Sequence, residues 1–161
     1  MNAHAAPLKR QKGFTLIEAM VVVALVAILA ALAAPSFNTL IANQRATSAA
    51  QELQSLFQFA RAEAVYKRTD TSVTATGQKW EAKAGAQVLR ETALSDAVSV
   101  APGSNGGLVF EVTGKAQPAS GSAPPYKVTI SAANASRVEC LSVNGAGLVR
   151  QQRVAAGQNC P

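Results

Sequence analysis

The chain of 161 residues is poor in the side chains that carry most enzyme chemistry. It has one histidine, two cysteines and only 5% aromatic residues. One His with two Cys is too small a set for most zinc sites. The two Cys stand twenty positions apart, so no CxxC motif exists. The single imidazole, His4, lies near the first residue, which leaves the body of the chain without a histidine to activate a nucleophile. No glycine-rich phosphate loop occupies a strand–helix junction, and no internal repeat is visible. Charged residues make up 15% of the chain, against about 25% in ordinary domains. With 48% apolar residues, that excludes a disordered polyelectrolyte. The carboxylates are scattered singly and read as solvated surface groups. No catalytic residue, metal or cofactor is expected.

The charge that is present is unevenly placed. The formal total is +6. Residues 1–13 supply +3 through Lys9, Arg10 and Lys12, and residues 14–35 supply −1 through Glu18. Residues 36–111 balance seven bases with seven acids, and residues 112–161 set five bases against Glu139 for +4. The excess therefore sits at the two ends.

From Phe14 to Ala34 run 21 residues with one charge, Glu18. As a helix they span about 31 Å, the hydrocarbon thickness of a bilayer. The basic stretch ahead of them favours an orientation with the N-terminus cytoplasmic and the rest of the chain outside. Three readings compete. One is a cleavable secretory signal, with Ala31-Leu32-Ala33 before Pro35 as the small residues of its cleavage site. Another is a plain single-span anchor. The third is a leader cut ahead of the apolar run, so that the run stays in the mature protein. Glu18 separates them. A carboxylate at the centre of a membrane helix costs about 2.5–3.5 kcal/mol, less towards an end. Only the third reading has a use for it.

The run Lys12-Gly13-Phe14-Thr15-Leu16-Ile17-Glu18 resembles the processing site of type IV pilins and pseudopilins. The resemblance implies cleavage after Gly13 by a membrane aspartyl prepilin peptidase, then N-methylation of Phe14. It places Glu18 fifth from the new N-terminus. Gly13 suits such a site because a residue without a side chain lets a protease reach the backbone. A carboxylate in a membrane or a helix bundle needs a partner. After cleavage the nearby cation is the new amino group of Phe14, on the same chain or on a neighbour. Glu18 is therefore expected to pair with it and to set the axial register of assembly. The expected organisation is a leader (1–13), a transmembrane and filament-core helix (14–35), an amphipathic helix (36–68) and a β-rich periplasmic or extracellular domain (69–161). The expected location is the bacterial inner membrane, single-pass, then a filament.

Pro35 removes a helix hydrogen bond and either kinks or stops the helix. Beyond it, Phe37, Leu40, Ile41, Ala49, Leu53, Leu56, Phe57, Ala60 and Ala64 recur at three- and four-residue steps, with polar residues such as Gln44, Arg45, Glu52 and Arg61 on the other faces. This reads as one long kinked helix from about Phe14 to Tyr66. After Arg68 come short β-like runs: Thr71–Ala75, Lys79–Lys83, Gln87–Thr92, Val98–Val100, Leu108–Thr113, Tyr126–Ser131, Val138–Val143 and Leu148–Val154. Turn signals are Gly77-Gln78, Asn105-Gly106-Gly107, Gly114 and the hairpin dipeptide Asn144-Gly145. Ala101–Gly107 and Ala116–Pro125 read as exposed loops. Trp80, Phe110 and Tyr126 read as core rather than ligand contacts. The fold class is α+β: a type IV pilin-like long helix packed on an antiparallel sheet.

Leu108–Gly114, Tyr126–Ser131 and Val143–Arg150 together resemble a narrower group, the GspH/FimT-like pseudopilins and minor pilins. That resemblance implies a structural subunit of a type IV pilus, active in pilus assembly and DNA uptake. The alternatives are a pseudopilin of a type II secretion system and a pilus-borne DNA receptor. The implied partners are other pilins, the prepilin peptidase and methyltransferase, the inner membrane and DNA. Cys140 and Cys160 are open to a disulfide or to two free buried thiols. The compartment favours the disulfide, and the resemblance supports it, since many pilins carry one near the C-terminus. In FimT-like proteins the resemblance implies a Gly-Arg-x-Arg element that contacts DNA. Here the matching stretch is Gly147-Leu148-Val149-Arg150, with Leu148 in place of the first Arg and Arg153 three residues on. Arg150, Arg153, Arg137 and Lys127 are the candidate phosphate contacts. The alternative is a mildly basic surface that keeps the domain soluble.

Overall fold

The computed structural model describes residues 13–102 and 107–161. His4, Lys9, Arg10, Lys12 and the Asn105-Gly106 turn signal lie outside the described residues. One helix, α1 (Leu16–Lys67), precedes nine strands: β1 (Thr71–Thr76), β2 (Lys79–Ala84), β3 (Gln87–Ala93), β4 (Val98–Pro102), β5 (Leu108–Phe110), β6 (Ala116–Pro118), β7 (Tyr126–Ala132), β8 (Arg137–Val143) and β9 (Val149–Ala155). The chain divides into two compact units, Met1–Phe37 and Asn38–Pro161.

In the first unit α1 runs through Pro35, so the proline does not stop the helix. The helix starts at Leu16, two residues later than expected, for a reason given by Thr15 below.

In the second unit the strands form two antiparallel sheets rather than one. Their orders are β3-β2-β1-β5-β6 and β4-β7-β8-β9. The helical segment of this unit buries Ala46, Ala50, Leu53, Phe57, Ala60 and Ala64 at three- and four-residue steps. Four of these six are alanines, which let strands approach the helix closely. Phe57 stands edge-on to Trp80 of β2 (centroids 6.0 Å, 79°) and to Tyr126 of β7 (6.3 Å, 89°). One ring thus meets an aromatic from each sheet, and each edge contact adds about 0.5–1.5 kcal/mol beyond the buried area. Trp80, Phe110 and Tyr126 are buried, as expected for core residues. The buried stripe begins later than expected, at Ala42; Phe37, Leu40 and Ile41 are 60%, 63% and 49% exposed.

Three local features depart from the sequence expectation. The run Leu108–Thr113 stops pairing at Phe110, and the chain reverses through Glu111–Gly114, where Gly114 N–H donates to Glu111 O at 2.8 Å. The returning segment forms β6 inside what reads as a loop. Ala-Gln-Pro has little strand propensity of its own, and the strand exists because the edge of β5 offers it partners. Pro118 is tolerated there as the last residue of an edge strand. The Asn144-Gly145 dipeptide does not make a two-residue hairpin. Val143 and Val149 are joined by a five-residue loop, 144–148. Asn144 Oδ1 accepts the N–H groups of Ala146 (3.1 Å) and Leu148 (3.0 Å), and Gly147, not Gly145, takes the left-handed conformation at φ +74. A Cβ at Gly147 would lie 2.1 Å from Gly114 O and 2.8 Å from Arg61 Nε, so the position requires glycine.

Candidate functional site

The first site is the start of α1. Thr15 Oγ1 accepts the N–H of Glu18 at 3.2 Å, and Ala19 N–H closes the first helical bond onto Thr15 O at 3.2 Å. Thr15 is therefore the N-cap and Glu18 the third helical residue, the Thr-x-x-Glu order of a capping box. A carboxylate in the first turn is favoured by the positive end of the helix dipole, by about 0.3–1 kcal/mol at an exposed site. Glu18 thus has a local role that its reading as an assembly residue misses, although the spacing is plain in the sequence. Gly13 and Phe14 precede the helix and are exposed, with nothing within 4 Å of a Cβ placed at Gly13. Every large apolar side chain from Leu16 to Leu32 is exposed, on all faces of the helix. Among the described residues, α1 is the one helix long and apolar enough to cross a membrane. An exposed helix that is apolar all round needs lipid or other helices around it.

The second site is the basic end of the chain, where the register sorts the four candidate cations. Arg150 and Arg153 are three residues apart on β9, so they point to opposite faces of the sheet. Lys127, Ser142 and Arg150 stand in one row across β7, β8 and β9, and Ile130, Glu139 and Arg153 in another on the other face. Glu139 is fully buried, against the expectation that the carboxylates are solvated. Its carboxylate accepts Arg153 Nε at 2.9 Å and Gln151 Nε2 at 2.8 Å. The Thr47 hydroxyl of α1 lies 2.8 Å from Glu139 Oε1 and 3.0 Å from Asn43 O; its one proton serves one of them, and the carboxylate is the shorter contact. Arg137 donates from Nη2 to Thr47 Oγ1 at 3.3 Å, with its Nε 3.8 Å from Glu139. Arg137 and Arg153 thus neutralise a buried carboxylate and do not share a surface with Arg150. Lys127 and Arg150 do share one. Leu148, at the position of the missing Arg, is exposed and lines a groove of about 730 Å³ with Val65 and Tyr66.

Polar tethers of α1 hold this end in place. Asn43 Nδ2 donates to Ser136 Oγ at 3.0 Å and Asn43 Oδ1 accepts Ser136 N–H at 3.1 Å. Arg61, expected on a solvent face, is half-buried. It donates from Nε to Gly114 O (3.0 Å) and from Nη2 to Ala146 O (3.3 Å), fastening the β5–β6 and β8–β9 loops together. The glycines of the two family-like segments, Gly114 and Gly147, are the points where those loops and Arg61 meet. Cys140 and Cys160 form a disulfide with Cα atoms 5.6 Å apart, which pins the tail to β8.

Elsewhere, the surface cluster on β2 and β3 pairs Lys79 with Glu91 and Glu81. Those carboxylates raise the Lys79 ammonium above its ordinary pKa, and Lys83 and Lys79 lower that of Glu81. Burial pushes the Tyr126 hydroxyl up to about 12. Among the described residues no group of three or more His, Cys, Asp or Glu could hold a metal.

A long helix followed by two small antiparallel sheets is the α+β arrangement of the type IV pilin fold. The comparisons agree. Residues 49–147 match the family model of the type II transport protein GspH, and residues 8–34 match the prokaryotic N-terminal methylation motif. The chain belongs to the GspH family. Over 49 residues it is 49% identical to a fimbrial protein of Pseudomonas aeruginosa; the match covers 30% of this chain and 32% of that protein, so the chain spans about a third of the length of the curated relatives it matches. The fold is that of the Pseudomonas aeruginosa type IV minor pilin FimU, with a TM-score of 0.56 and 24% identity over 66% of this chain and 87% of that one. It is also that of the minor pseudopilin EpsH from the type 2 secretion system of Vibrio cholerae, with a TM-score of 0.53 and 14% identity over 71% and 99%.

Proposed function

We propose that this chain is a non-enzymatic minor subunit of a type IV pilus, cleaved after Gly13 by a prepilin peptidase and N-methylated at Phe14. The observation that carries the reading is the helix exposed and apolar on all faces directly behind the Gly13–Phe14 junction. Such a surface belongs in a bilayer before assembly and among neighbouring helices after it. The basic residues 9–12 orient it with the N-terminus cytoplasmic and residues 38–161 on the far side of the inner membrane. Likeness to a fimbrial protein favours the pilus over the secretion pseudopilus.

In this account Glu18 stands in the first turn of α1, behind the Thr15 cap, and pairs with a Phe14 amine on assembly, and Pro35 kinks the helix. Glu18→Ala then leaves cleavage intact and impairs incorporation; normal incorporation would refute the pairing. DNA contact is no part of the proposal, since Arg137 and Arg153 are committed to Glu139. The test of the whole is a deletion assayed in parallel for surface pili and for secretion of folded proteins. Loss of pili with secretion intact supports the reading. Loss of secretion with pili intact replaces it with the pseudopilin.

A further inference from the structure

The two sheets end in four edge strands: β3 and β6 in one, β4 and β9 in the other. An edge strand offers unpaired N–H and C=O groups to any extended chain, and proteins blunt it with shortness, proline or a bulge. β3 carries a register shift opposite Ala82/Lys83 that leaves Leu89 unmatched. β6 has three residues and ends in Pro118, and β4 ends in Pro102. β9 has none of these devices. Its seven residues pair with β8 in unbroken register, without proline, glycine or acid. The bonds from Asn144 N–H to Leu148 O and from Ala156 N–H to Ser136 O bracket that ladder. Main-chain groups alternate sides along an antiparallel strand, so the even-numbered residues of β9 face β8 and the odd-numbered ones face away. The N–H and C=O groups of Val149, Gln151 and Arg153 therefore point off the sheet and have no partner among the described residues. A hollow of about 400 Å³, lined by Gln151, Gln152 and Arg153, lies against them. The disulfide fastens the tail to β8 rather than along this edge.

We infer that the β9 edge takes an extended acidic segment of a partner protein as a fifth, antiparallel strand of this sheet. The charge around the edge selects the partner. The strands of this sheet carry Lys127, Arg137, Arg150 and Arg153 against one acid, Glu139, which is buried. Arg150 is exposed, has no ion-pair or hydrogen-bond partner among the described residues, and shares a face of the sheet with Lys127. Main-chain bonds to Val149, Gln151 and Arg153 supply affinity, and carboxylates at alternate positions of the segment face Arg150 and Gln152 and supply selection. A second copy of β9 is a poor occupant, since the pairing would bring Arg150 and Arg153 of both copies onto one seam without an acid. A nucleic acid is also a poor one. It needs cations on one surface, whereas Arg150 and Arg153 lie on opposite faces, and it makes no use of the outward row of N–H and C=O groups. The inference goes beyond the filament reading and holds for a pilus or a pseudopilus alike.

The test uses the full chain in detergent micelles and short labelled peptides. One peptide alternates glutamate with valine. Another is identical except that its valines are N-methylated, so it keeps the charge and loses the N–H groups that would bond β9. A third has lysine in place of glutamate. Fluorescence anisotropy reads affinity, and hydrogen exchange reads single amides. The glutamate peptide is expected to bind, more weakly as salt rises, and to slow exchange at Val149, Gln151 and Arg153 about tenfold or more. The N-methylated peptide binds about tenfold more weakly or worse. Arg150→Glu, a change at an exposed side chain, weakens the glutamate peptide about tenfold and strengthens the lysine peptide. Equal binding of the N-methylated peptide, indifference to Arg150→Glu, unchanged exchange at the three amides, or no binding at low salt would overturn the inference. A DNA duplex that displaces the peptide without slowing those amides would assign the surface to nucleic acid and overturn it too.

Discussion

The buried Glu139 offers the sharpest test of how this domain is held together. Its carboxylate has no exposure and is met by Arg153, Gln151 and Thr47 at 2.8–2.9 Å, with Arg137 behind Thr47. Hydrogen bonds to a charged group are each worth about 1.5–3 kcal/mol net. Arg153 is 54% exposed and regains water when the carboxylate is removed, so its share is discounted. Thr47 and Gln151 regain less, because they are buried or half-buried. Glu139→Ala is therefore expected to cost about 3 kcal/mol, at the low end of the 3–5 kcal/mol typical for breaking a buried pair. Arg153→Ala leaves the carboxylate with Gln151, Thr47 and Arg137 and costs less, about 1–2 kcal/mol. Urea unfolding of residues 38–161, followed by tryptophan fluorescence, measures both, since Trp80 sits in the core on the other sheet. A loss below about 1 kcal/mol for Glu139→Ala, or a larger loss for Arg153→Ala, would refute the view that the two arginines serve the carboxylate.

Three further outcomes follow from the packing. Gly147→Ala, at φ +74 and 2.1 Å from Gly114 O, is expected to lower stability by more than about 1 kcal/mol in the same unfolding assay, while Gly145→Ala, at ordinary φ, costs less. Reducing the Cys140–Cys160 disulfide, or Cys140→Ser with Cys160→Ser, should cost about 3 kcal/mol by the chain-entropy estimate for a loop of about 20 residues. The raised Tyr126 pKa means that the unfolded chain ionises near pH 10 and the folded chain near 12, so the folded state binds more protons between them. Stability falls there as pH rises, by about 1.4 kcal/mol per unit, and Tyr126→Phe should remove that fall because the hydroxyl has no partner to lose.

Much of this was legible in the residues because it rests on local pattern. The apolar run, the three-and-four stripe from Ala49 to Ala64 and most strands follow from periodicity, and all are present. What escaped is set by pairing across the fold. β6 has no strand signal of its own and is made by the edge of β5. Arg61 reads as a surface charge until two loop carbonyls converge on it. Glu139 lies in a strand that is buried without a break from Val138 to Leu141, and only the register of β8 with β9 brings Arg153 opposite it. The same register separates Arg150 from Arg153, which nearness in sequence suggests should act together. The Thr15 cap is a different case: a threonine three residues ahead of Glu18 is a readable signal, overshadowed by the motif that contains it.

The central claim is that the apolar helix is kept and the segment ahead of it removed. The N-terminal peptide of the mature protein, extracted from membranes and measured by mass spectrometry, tests this most directly. The account predicts a chain that begins at Phe14 with a methylated amine. A chain still beginning at Met1, or one beginning beyond Ala33, would contradict it.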